Sequence, residues 1–376
     1  MKVLIISWRD ITHPEAGGAE LYLHELARRF ASSGHEITLL TSRYKGCAEQ
    51  EVIDGVSIIR RGSKYVFNLA VLWTYLRELR SNGYQIVVED VYLFPLFTPI
   101  FVHQPKTVVI TNHLYKGNFL RQVPLPFIPA VWLGEKALRL YQKLPVTTLS
   151  VSSKKDLIDM GIPEENITII NPGLDCELYR PSTSMKTRYP SVVYLGMVKK
   201  KKNIDHLIKA MVEVKKVLPE ARLIIAGRGL SSLYRKLKAL ADRLNLDSSV
   251  NFYGEVTAEE KVRLFQSAWV SVHPSAKEGW GIPVIEANAC GTPAIAYDVP
   301  GHSDSIRSGE TGLLVAYGDI GALACGMVKL LTDTELRERL SQNAVVWASN
   351  FSWDKSAQDF MAVLQGTGET GDELKE

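Results

Sequence analysis

Apolar runs of strand length alternate with amphipathic helical stretches along almost the whole chain. The first half has predicted strands at 3–7, 36–41, 56–60, 86–89, 107–111, 146–150 and 167–170. A second series begins with a strand at 191–196, and its elements include helices at 204–217, 230–244 and 258–267 and strands at 222–226, 250–253 and 269–273. Alternation of this kind predicts the α/β class, with parallel sheets covered by helices on both faces.

A chain of 376 residues exceeds what one hydrophobic core usually supports, so two domains are expected. The polar, proline-flanked stretch 180–190 is the predicted linker, which gives an N-terminal domain at 1–183 and a C-terminal domain at 191–350. A last helix is expected within 351–365. Residues 366–376 lack apolar periodicity and are expected to be disordered.

Composition narrows the class of protein. The apolar fraction of 46% and the charged fraction of 23% are typical of a soluble globular protein. The four cysteines show no metal-ligand spacing, and they suit a reducing compartment, for which the cytoplasm is the expected location. The formal charge of +3 is small, but residues 60–143 hold eleven Lys or Arg against four acids, which predicts a positive face on the first half.

Glu278 and Glu286 flank a predicted ligand-binding segment, since the residues between them include Gly279, Trp280 and Gly281 before a proline that suits a first helical turn. The free N–H groups of a helix start favour an anion. Two carboxylates, which only accept hydrogen bonds, can hold hydroxyls on either side of it. A nucleotide sugar has this arrangement: a ribose diol, a diphosphate and hexose hydroxyls.

This stretch, preceded by the pair Pro274-Ser275, resembles the donor motif of the retaining glycosyltransferases of family 4, which is Glu, seven residues, Glu. The resemblance extends over nearly the whole chain. It implies the GT-B architecture, in which two Rossmann-like domains with parallel sheets face each other across a cleft and the last helix crosses back to the first domain. It also implies that Glu286 binds the ribose, Glu278 the sugar hydroxyls, and the amides of Gly279, Trp280 and Gly281 the diphosphate.

In glycosyl transfer the nucleoside diphosphate leaves as an anion, so the protein must supply positive charge to stabilise it. The chain has no Asp-x-Asp motif that would hold a metal, so fixed cations and helix N-termini are expected in its place, with no metal and no cofactor. Family members place an arginine and, five positions later, a lysine on the diphosphate. Here those positions hold Met197 and Lys202, so Lys202 is the expected phosphate ligand and Lys199 or Lys200 can supply part of the missing charge.

Further candidates follow other strands. Gly17 and Gly18 stand directly before a helix and can seat the donor phosphate or the acceptor. The resemblance gives His113, after the strand at 107–111, a catalytic place near the anomeric carbon, and it puts Arg228 near the base. His103, His13 and His302 are weaker candidates.

The expected reaction moves a hexose from a UDP- or GDP-linked sugar to a glycan or lipid-linked acceptor, and the resemblance implies retention of configuration. The apolar segment 123–133 lies between basic residues, so 116–143 are expected to touch an anionic membrane at its inner face, or else to pack on the first domain. Nucleic acid is not an expected partner. A nucleotide-sugar epimerase or hydrolase of the same fold, and a non-catalytic nucleotide-sugar-binding protein, remain alternatives.

Overall fold

The structure is a computed structural model, and it describes residues 1–91, 95–112 and 137–367. The chain divides into two compact units, Met1–Gly173 with Trp353–Glu376 and Leu174–Ser352. The first boundary precedes the expected linker at 180–190, because Leu178 and Tyr179 already pack against a core cluster of the second unit. The expected disordered tail, apart from Gly366 and Thr367, lies outside the described residues.

The first unit contains an eight-stranded sheet in the order β3-β4-β2-β1-β5-β6-β7-β8. Its strands are β1 (Lys2–Ile6), β2 (Glu36–Arg43), β3 (Gln50–Ile53), β4 (Val56–Ser63), β5 (Ile86–Val91), β6 (Lys106–Thr111), β7 (Val146–Thr148) and β8 (Ile167–Ile169). All neighbours pair in parallel except β3 and β4. Strand β3 was not predicted from the sequence. A tight turn joins it to β4 through Asp54 and Gly55, whose φ angles of 50° and 80° suit a two-residue hairpin.

Helices of the first unit are α1 (Gly18–Ser32), α2 (Phe67–Thr74), α3 (Thr98–Phe101) and α4 (Val151–Asp159), together with the last helix of the chain, α12 (Trp353–Gln365). Helix α12 returns to this unit and packs on α1. The ring centroids of Tyr22 and Trp353 lie 6.2 Å apart, and those of Phe30 and Phe360 lie 5.9 Å apart. The returning helix is therefore attached to α1 by aromatic contacts.

The helical stretch that begins with α2 is not uniform along its length. After α2 the backbone widens to a π-helical turn at Tyr75–Leu79 and tightens to a 3-10 turn at Arg80–Asn82. Gly83 then ends it in the left-handed conformation, at φ 71°, as a C-terminal glycine does.

The second unit contains a six-stranded parallel sheet in the order β11-β10-β9-β12-β13-β14. Its strands are β9 (Ser191–Leu195), β10 (Arg222–Ala226), β11 (Val250–Gly254), β12 (Val270–His273), β13 (Ala294–Tyr297) and β14 (Gly312–Val315). The four inner strands are buried almost throughout, as expected where helices cover both faces of a parallel sheet, whereas the edge strands β11 and β14 are partly exposed.

Helices of the second unit are α5 (Ile204–Val217), α6 (Ser231–Arg243), α7 (Ala258–Ser267), α8 (Ile282–Ala289), α9 (His302–Ser305), α10 (Ile320–Thr332) and α11 (Thr334–Ala348). Helices α5 and α7 have the bounds that the apolar periodicity predicted. Thr257 caps α7: its hydroxyl accepts from the amide of Glu260, whose carboxylate accepts from the Thr257 amide.

A buried ion pair lies next to β1 and β4 in the first unit. The side chains of Arg60 and Asp10 are inaccessible to solvent, and Arg60 Nε donates to Asp10 Oδ2 at 2.7 Å. The guanidinium also donates to the carbonyl of Ala48 at 3.0 Å and to the hydroxyl of Thr12 at 2.9 Å, and it pairs with Glu51. Arg60 therefore adds nothing to the positive surface that the sequence suggested for residues 60–143.

Replacing Arg60 with leucine should destabilise the first unit by about 3–5 kcal/mol, because Asp10 would be left as a buried charge without a cation. Urea unfolding of both proteins measures this difference. The neighbouring Arg61→Leu is the matched control: Arg61 pairs with the half-exposed Glu78, so its loss should cost less than about 1 kcal/mol. Equal effects of the two substitutions would contradict this account of Arg60.

Candidate functional site

Strand order in the second unit reverses between β9 and β12. The chain runs outward from β9 through β10 to β11, then returns to the other side of β9 with β12. Because β9 and β12 are parallel neighbours, their carboxyl ends lead into loops at the same edge of the sheet. Ligands of open α/β sheets bind at such a point. The loop after β9 carries Lys202, and the loop after β12 carries Glu278.

Lys202 and Glu278 meet at this edge. Lys202 Nζ forms an ion pair and hydrogen bond with Glu278 Oε1, and the two side chains are only 17% and 19% exposed. Burial by itself would raise the pKa of the Glu278 carboxyl, but the charge of Lys202 and hydrogen bonds from Lys202 and Ser275 hold it well below its usual range. The two expected donor ligands are thus in contact and charged.

Gly301, which the sequence analysis did not single out, fits against the backbone of Glu278. The Glu278 amide donates to the carbonyl of Pro300 at 3.1 Å. A Cβ atom on Gly301 would lie 2.5 Å from the Glu278 carbonyl oxygen, and the φ of Gly301 is 89°. Only glycine allows the loop after β13 to approach Glu278 so closely.

Helix α8 begins directly after Gly279, Trp280 and Gly281. Gly281 is its N-cap at φ 104°, and Pro283 stands in the first turn. A Cβ atom on Gly281 would lie 3.0 Å from the hydroxyl of Ser305, so this turn is also tightly packed. Whether the amides of the three residues bind a diphosphate stays a prediction.

The side chain of Trp280 has another role. Its ring is 4% exposed and packs edge-on against Phe351, with ring centroids 5.2 Å apart. The expected donor contact of Trp280 therefore concerns its backbone amide, and its indole belongs to the interior of the second unit.

Glu286 lies on α8 and is buried. Its carboxylate pairs with Lys261 Nζ, from α7. Tyr179 lies beside the same carboxylate: burial, followed by the charge of Glu286, raises the pKa of the Tyr179 phenol. Each glutamate of the motif therefore has its own lysine, and Lys261 was missed because nothing in the local pattern of α7 relates it to α8.

The loops after β9, β10 and β11 touch one another. The amide of Val198 donates to the carbonyl of Arg228 at 2.8 Å. A Cβ atom on Gly227 would lie 1.8 Å from the carbonyl oxygen of Gly196, which requires glycine there. Arg228 Nη1 lies 3.9 Å from Glu255 Oε1, after β11. Arg228 thus stands at the edge that carries Lys202, two strands away from Glu278.

Two buried histidines lie behind Glu278. His302, a weaker candidate from the sequence, is 1% exposed, and its Nδ1 lies 3.2 Å from the carbonyl of Tyr297. His273, which was not a candidate, has its ring centroid 6.3 Å from that of His302 and its Nε2 2.7 Å from the hydroxyl of Ser271. Burial, with the nearby charge of His302, lowers the pKa of His273 to about 3, and burial also lowers the pKa of His302.

In the first unit, Gly17 is the N-cap of α1 and Gly18 its first residue. The Gly17 amide already donates to Glu20 Oε2 at 2.7 Å, so an incoming anion would have to displace that carboxylate. His113, the expected catalytic histidine, and the apolar segment 123–133 lie outside the described residues.

The first sheet also reverses its strand order, between β1 and β5. Across this point the Ser7 hydroxyl donates to Asp90 Oδ2 at 2.7 Å, and Asn112 Nδ2 donates to Asp90 Oδ1 at 3.1 Å. All three side chains are buried, and burial raises the pKa of Asp90 to about 7. This group was not predicted from the sequence, because only the strand order brings its members together.

Within 1–91, 95–112 and 137–367, no group of three or more His, Cys, Asp or Glu residues is arranged to hold a metal ion. In the same residues, no helix has the length and apolar character needed to span a bilayer.

Acid should destabilise the second unit through His273. The unfolded chain takes up a proton there below about pH 6.5, whereas the folded protein does so only near pH 3. Between these values the unfolded state binds more protons, so stability falls as pH falls, by about 1.4 kcal/mol per pH unit for this residue. Urea unfolding of wild type and His273→Asn at pH 6.5 and pH 5 measures the difference, and parallel pH slopes for the two proteins would refute the assignment.

Comparison with known families matches almost the whole chain. The family described as Glycosyltransferase Family 4 matches residues 16–178, and the family described as Glycosyl transferases group 1 matches residues 175–347.

Curated relatives cover the chain nearly end to end. A D-inositol 3-phosphate glycosyltransferase from Kribbella flavida is 25% identical over 95% of this chain and 92% of its own. An uncharacterized glycosyltransferase from Methanocaldococcus jannaschii is 25% identical over 97% of this chain and 98% of its own.

Solved structures share the fold. Sucrose-phosphate synthase from Thermosynechococcus elongatus superposes with a TM-score of 0.85 at 21% identity, covering 97% of this chain and 98% of that one. Anabaena HepE, in complex with UDP and glucose, superposes with a TM-score of 0.78 at 20% identity, covering 97% and 100%. With two α/β units, a sheet edge that joins Lys202 to Glu278, and these matches over both halves, the chain belongs to the family-4-type glycosyltransferases of the GT-B fold.

Proposed function

We propose that the chain is a retaining hexosyltransferase. It moves a hexose from a UDP- or GDP-linked sugar to a glycan or lipid-linked acceptor, and it needs no metal. The family supports glycosyl transfer as such, and the residues at the edge of the second sheet support the choice of donor.

The contact between Lys202 and Glu278 carries this proposal. In a nucleotide sugar the diphosphate is bonded directly to the hexose. A site for a nucleotide sugar must therefore hold a cation for the phosphates and, close to it, a hydrogen-bond acceptor for the sugar hydroxyls. Lys202 has three N–H donors, so it can turn from Glu278 toward phosphate oxygens, while Glu278 accepts from a sugar hydroxyl.

The ribose end of the donor would lie at Glu286. Lys261 pairs with one oxygen of this buried carboxylate, and carboxylate oxygens have further acceptor sites for a ribose diol. Arg228, in the loop after β10, is the proposed contact for the base. UDP is a natural first choice of nucleotide, since Anabaena HepE was crystallised with UDP-glucose.

In the proposed reaction the bond between the anomeric carbon and the diphosphate oxygen breaks, and an acceptor hydroxyl forms the new bond on the same face of the sugar. The hydroxyl proton passes to the departing diphosphate. Lys202 and the amides of Gly279, Trp280 and Gly281 stabilise the negative charge that develops on that leaving group. His113 is the proposed neighbour of the anomeric carbon.

Two chemical classes of acceptor should be assayed. The first class is a lipid-linked acceptor, for which we also propose that residues 116–143 contact an anionic membrane. Several relatives are named for D-inositol 3-phosphate, so a phosphorylated polyol belongs in the same panel of acceptors.

An epimerase or hydrolase would consume the donor without an acceptor, and a binding protein would not consume it at all. Assays of nucleotide release with and without acceptors separate these possibilities from transfer. Release that depends on an acceptor supports the proposal, and release at the same rate without one contradicts it.

Lys202→Ala should lower turnover about 100- to 1000-fold, because the leaving diphosphate loses its fixed cation. Lys209→Ala is the matched control, since Lys209 belongs to the same unit and pairs with Asp205 on the surface of α5. Steady-state kinetics with the active nucleotide sugar measures both. Unchanged turnover in Lys202→Ala would rule out its role on the diphosphate.

Gly301→Ala should lower kcat/KM by a factor on the order of 100, because the new methyl group pushes the Glu278 backbone away from the sugar. Binding of the free nucleoside diphosphate, which does not use Glu278, should change little. Gly309→Ala is the control: Gly309 has a similar φ of 82°, but nothing lies within 4 Å of its added Cβ atom. Equal losses in both variants would mean that backbone strain, not displacement of Glu278, is responsible.

A further inference from the structure

The helix that begins at α2 is apolar on two sides. Phe67, Val71, Tyr75 and Leu79 are buried in the core of the first unit. Five large residues, called here the α2 face, are exposed: Tyr65 in the turn before α2, and Leu69, Leu72, Trp73 and Leu76, which recur at helical spacing on the other side. When both sides of a helix are apolar and one of them is exposed to solvent, the exposed side indicates a surface that binds another molecule or a membrane.

Exposure of the α2 face is extensive. Tyr65 is 83% exposed, Leu69 70%, Trp73 59% and Leu76 46%. Helix α3 lies against the same helix, with the Phe101 ring 5.5 Å from that of Tyr75, and it exposes Ile100. Single exposed apolar residues are ordinary on protein surfaces, but a contiguous group of this size marks an interaction site.

Basic residues flank the α2 face. Lys64 precedes it and Arg77 and Arg80 follow it, all exposed. The Arg77 guanidinium lies over the Trp73 ring, 4.0 Å from its centroid. Among the described residues neither Lys64 nor Arg80 forms an ion pair, whereas the neighbouring acid, Glu78, is neutralised by Arg61 at 3.1 Å. The surface therefore combines apolar and aromatic groups with a net positive rim.

We propose that the α2 face docks on an anionic lipid surface, with Leu69, Trp73 and Leu76 entering the acyl boundary and Lys64, Arg77 and Arg80 meeting lipid phosphates. Tryptophan and tyrosine favour the membrane interface, and leucine with a basic rim is the pattern of helices that lie in it. A two-fold contact with a second copy would bring the basic rim close to itself, which like charges disfavour.

The proposal uses none of the residues 116–143. Vesicle binding requires neither donor nor acceptor, so its failure would leave the proposal of glycosyl transfer intact.

Flotation of the full chain with phosphatidylcholine vesicles, with and without phosphatidylglycerol, tests the proposal. Wild type should float with the anionic vesicles and less so as salt rises. Leu69→Ser/Trp73→Ser should lower the partition coefficient at least about tenfold, since two large apolar groups no longer leave water. Leu230→Ser/Val346→Ser, which removes equally exposed apolar residues of the second unit, should leave it unchanged.

A second pair of variants tests the rim. Arg77→Gln and Arg80→Gln should each weaken anionic binding about fivefold, the equivalent of about 1 kcal/mol per basic residue near the surface. The control is Arg235→Gln/Lys236→Gln on α6, which should have no effect.

Three results would overturn the proposal. Wild type that fails to float with anionic vesicles excludes lipid as the partner. If Leu69→Ser/Trp73→Ser has the wild-type melting temperature and floats with anionic vesicles as well as wild type does, then another surface binds the lipid. Sedimentation that reveals a wild-type dimer abolished by the same variant, without vesicle binding, identifies a second copy as the occupant.

Discussion

The Lys202–Glu278 contact exists because β9 and β12 are parallel neighbours at the point where the strand order reverses. Lys202 and Glu278 are 76 positions apart in the sequence, and only the tertiary fold brings them together. Their opposite charges make the partly buried position tolerable for both, since either one alone would be an uncompensated charge. The same pairing fixes the lysine and the carboxylate side by side, which is what a diphosphate joined to a hexose requires.

Surrounding residues serve to hold that pair in place. Gly301 allows the loop after β13 to lie against the Glu278 backbone, and the tight turn at Gly281 sets the start of α8. Behind them, His273 and His302 are buried, and burial lowers the pKa of each. The second unit thus supports a small charged site with closely packed elements.

Local patterns were sufficient to predict much of this. Apolar periodicity gave the bounds of α5 and α7, and motif spacing singled out Glu278 and Glu286, because helical faces and short motifs are local properties of sequence. Lys202 was predicted from the resemblance to the family. The remainder depends on tertiary contacts. Lys261, His273 and Gly301 join the site only through packing of separate elements, and the buried state of Arg60 follows from its partner Asp10, fifty residues away. Composition alone had made Arg60 part of a positive surface.

A double-mutant cycle on donor affinity tests the central claim most directly. Dissociation constants for one nucleotide sugar would be measured in wild type, Lys202→Met, Glu278→Gln and the double variant. Each single substitution leaves the other residue without its partner. The summed losses of donor binding free energy in the two single variants should therefore exceed the loss in the double variant, with a coupling energy of at least about 1 kcal/mol. Losses that add to within about 0.5 kcal/mol would contradict a shared donor site.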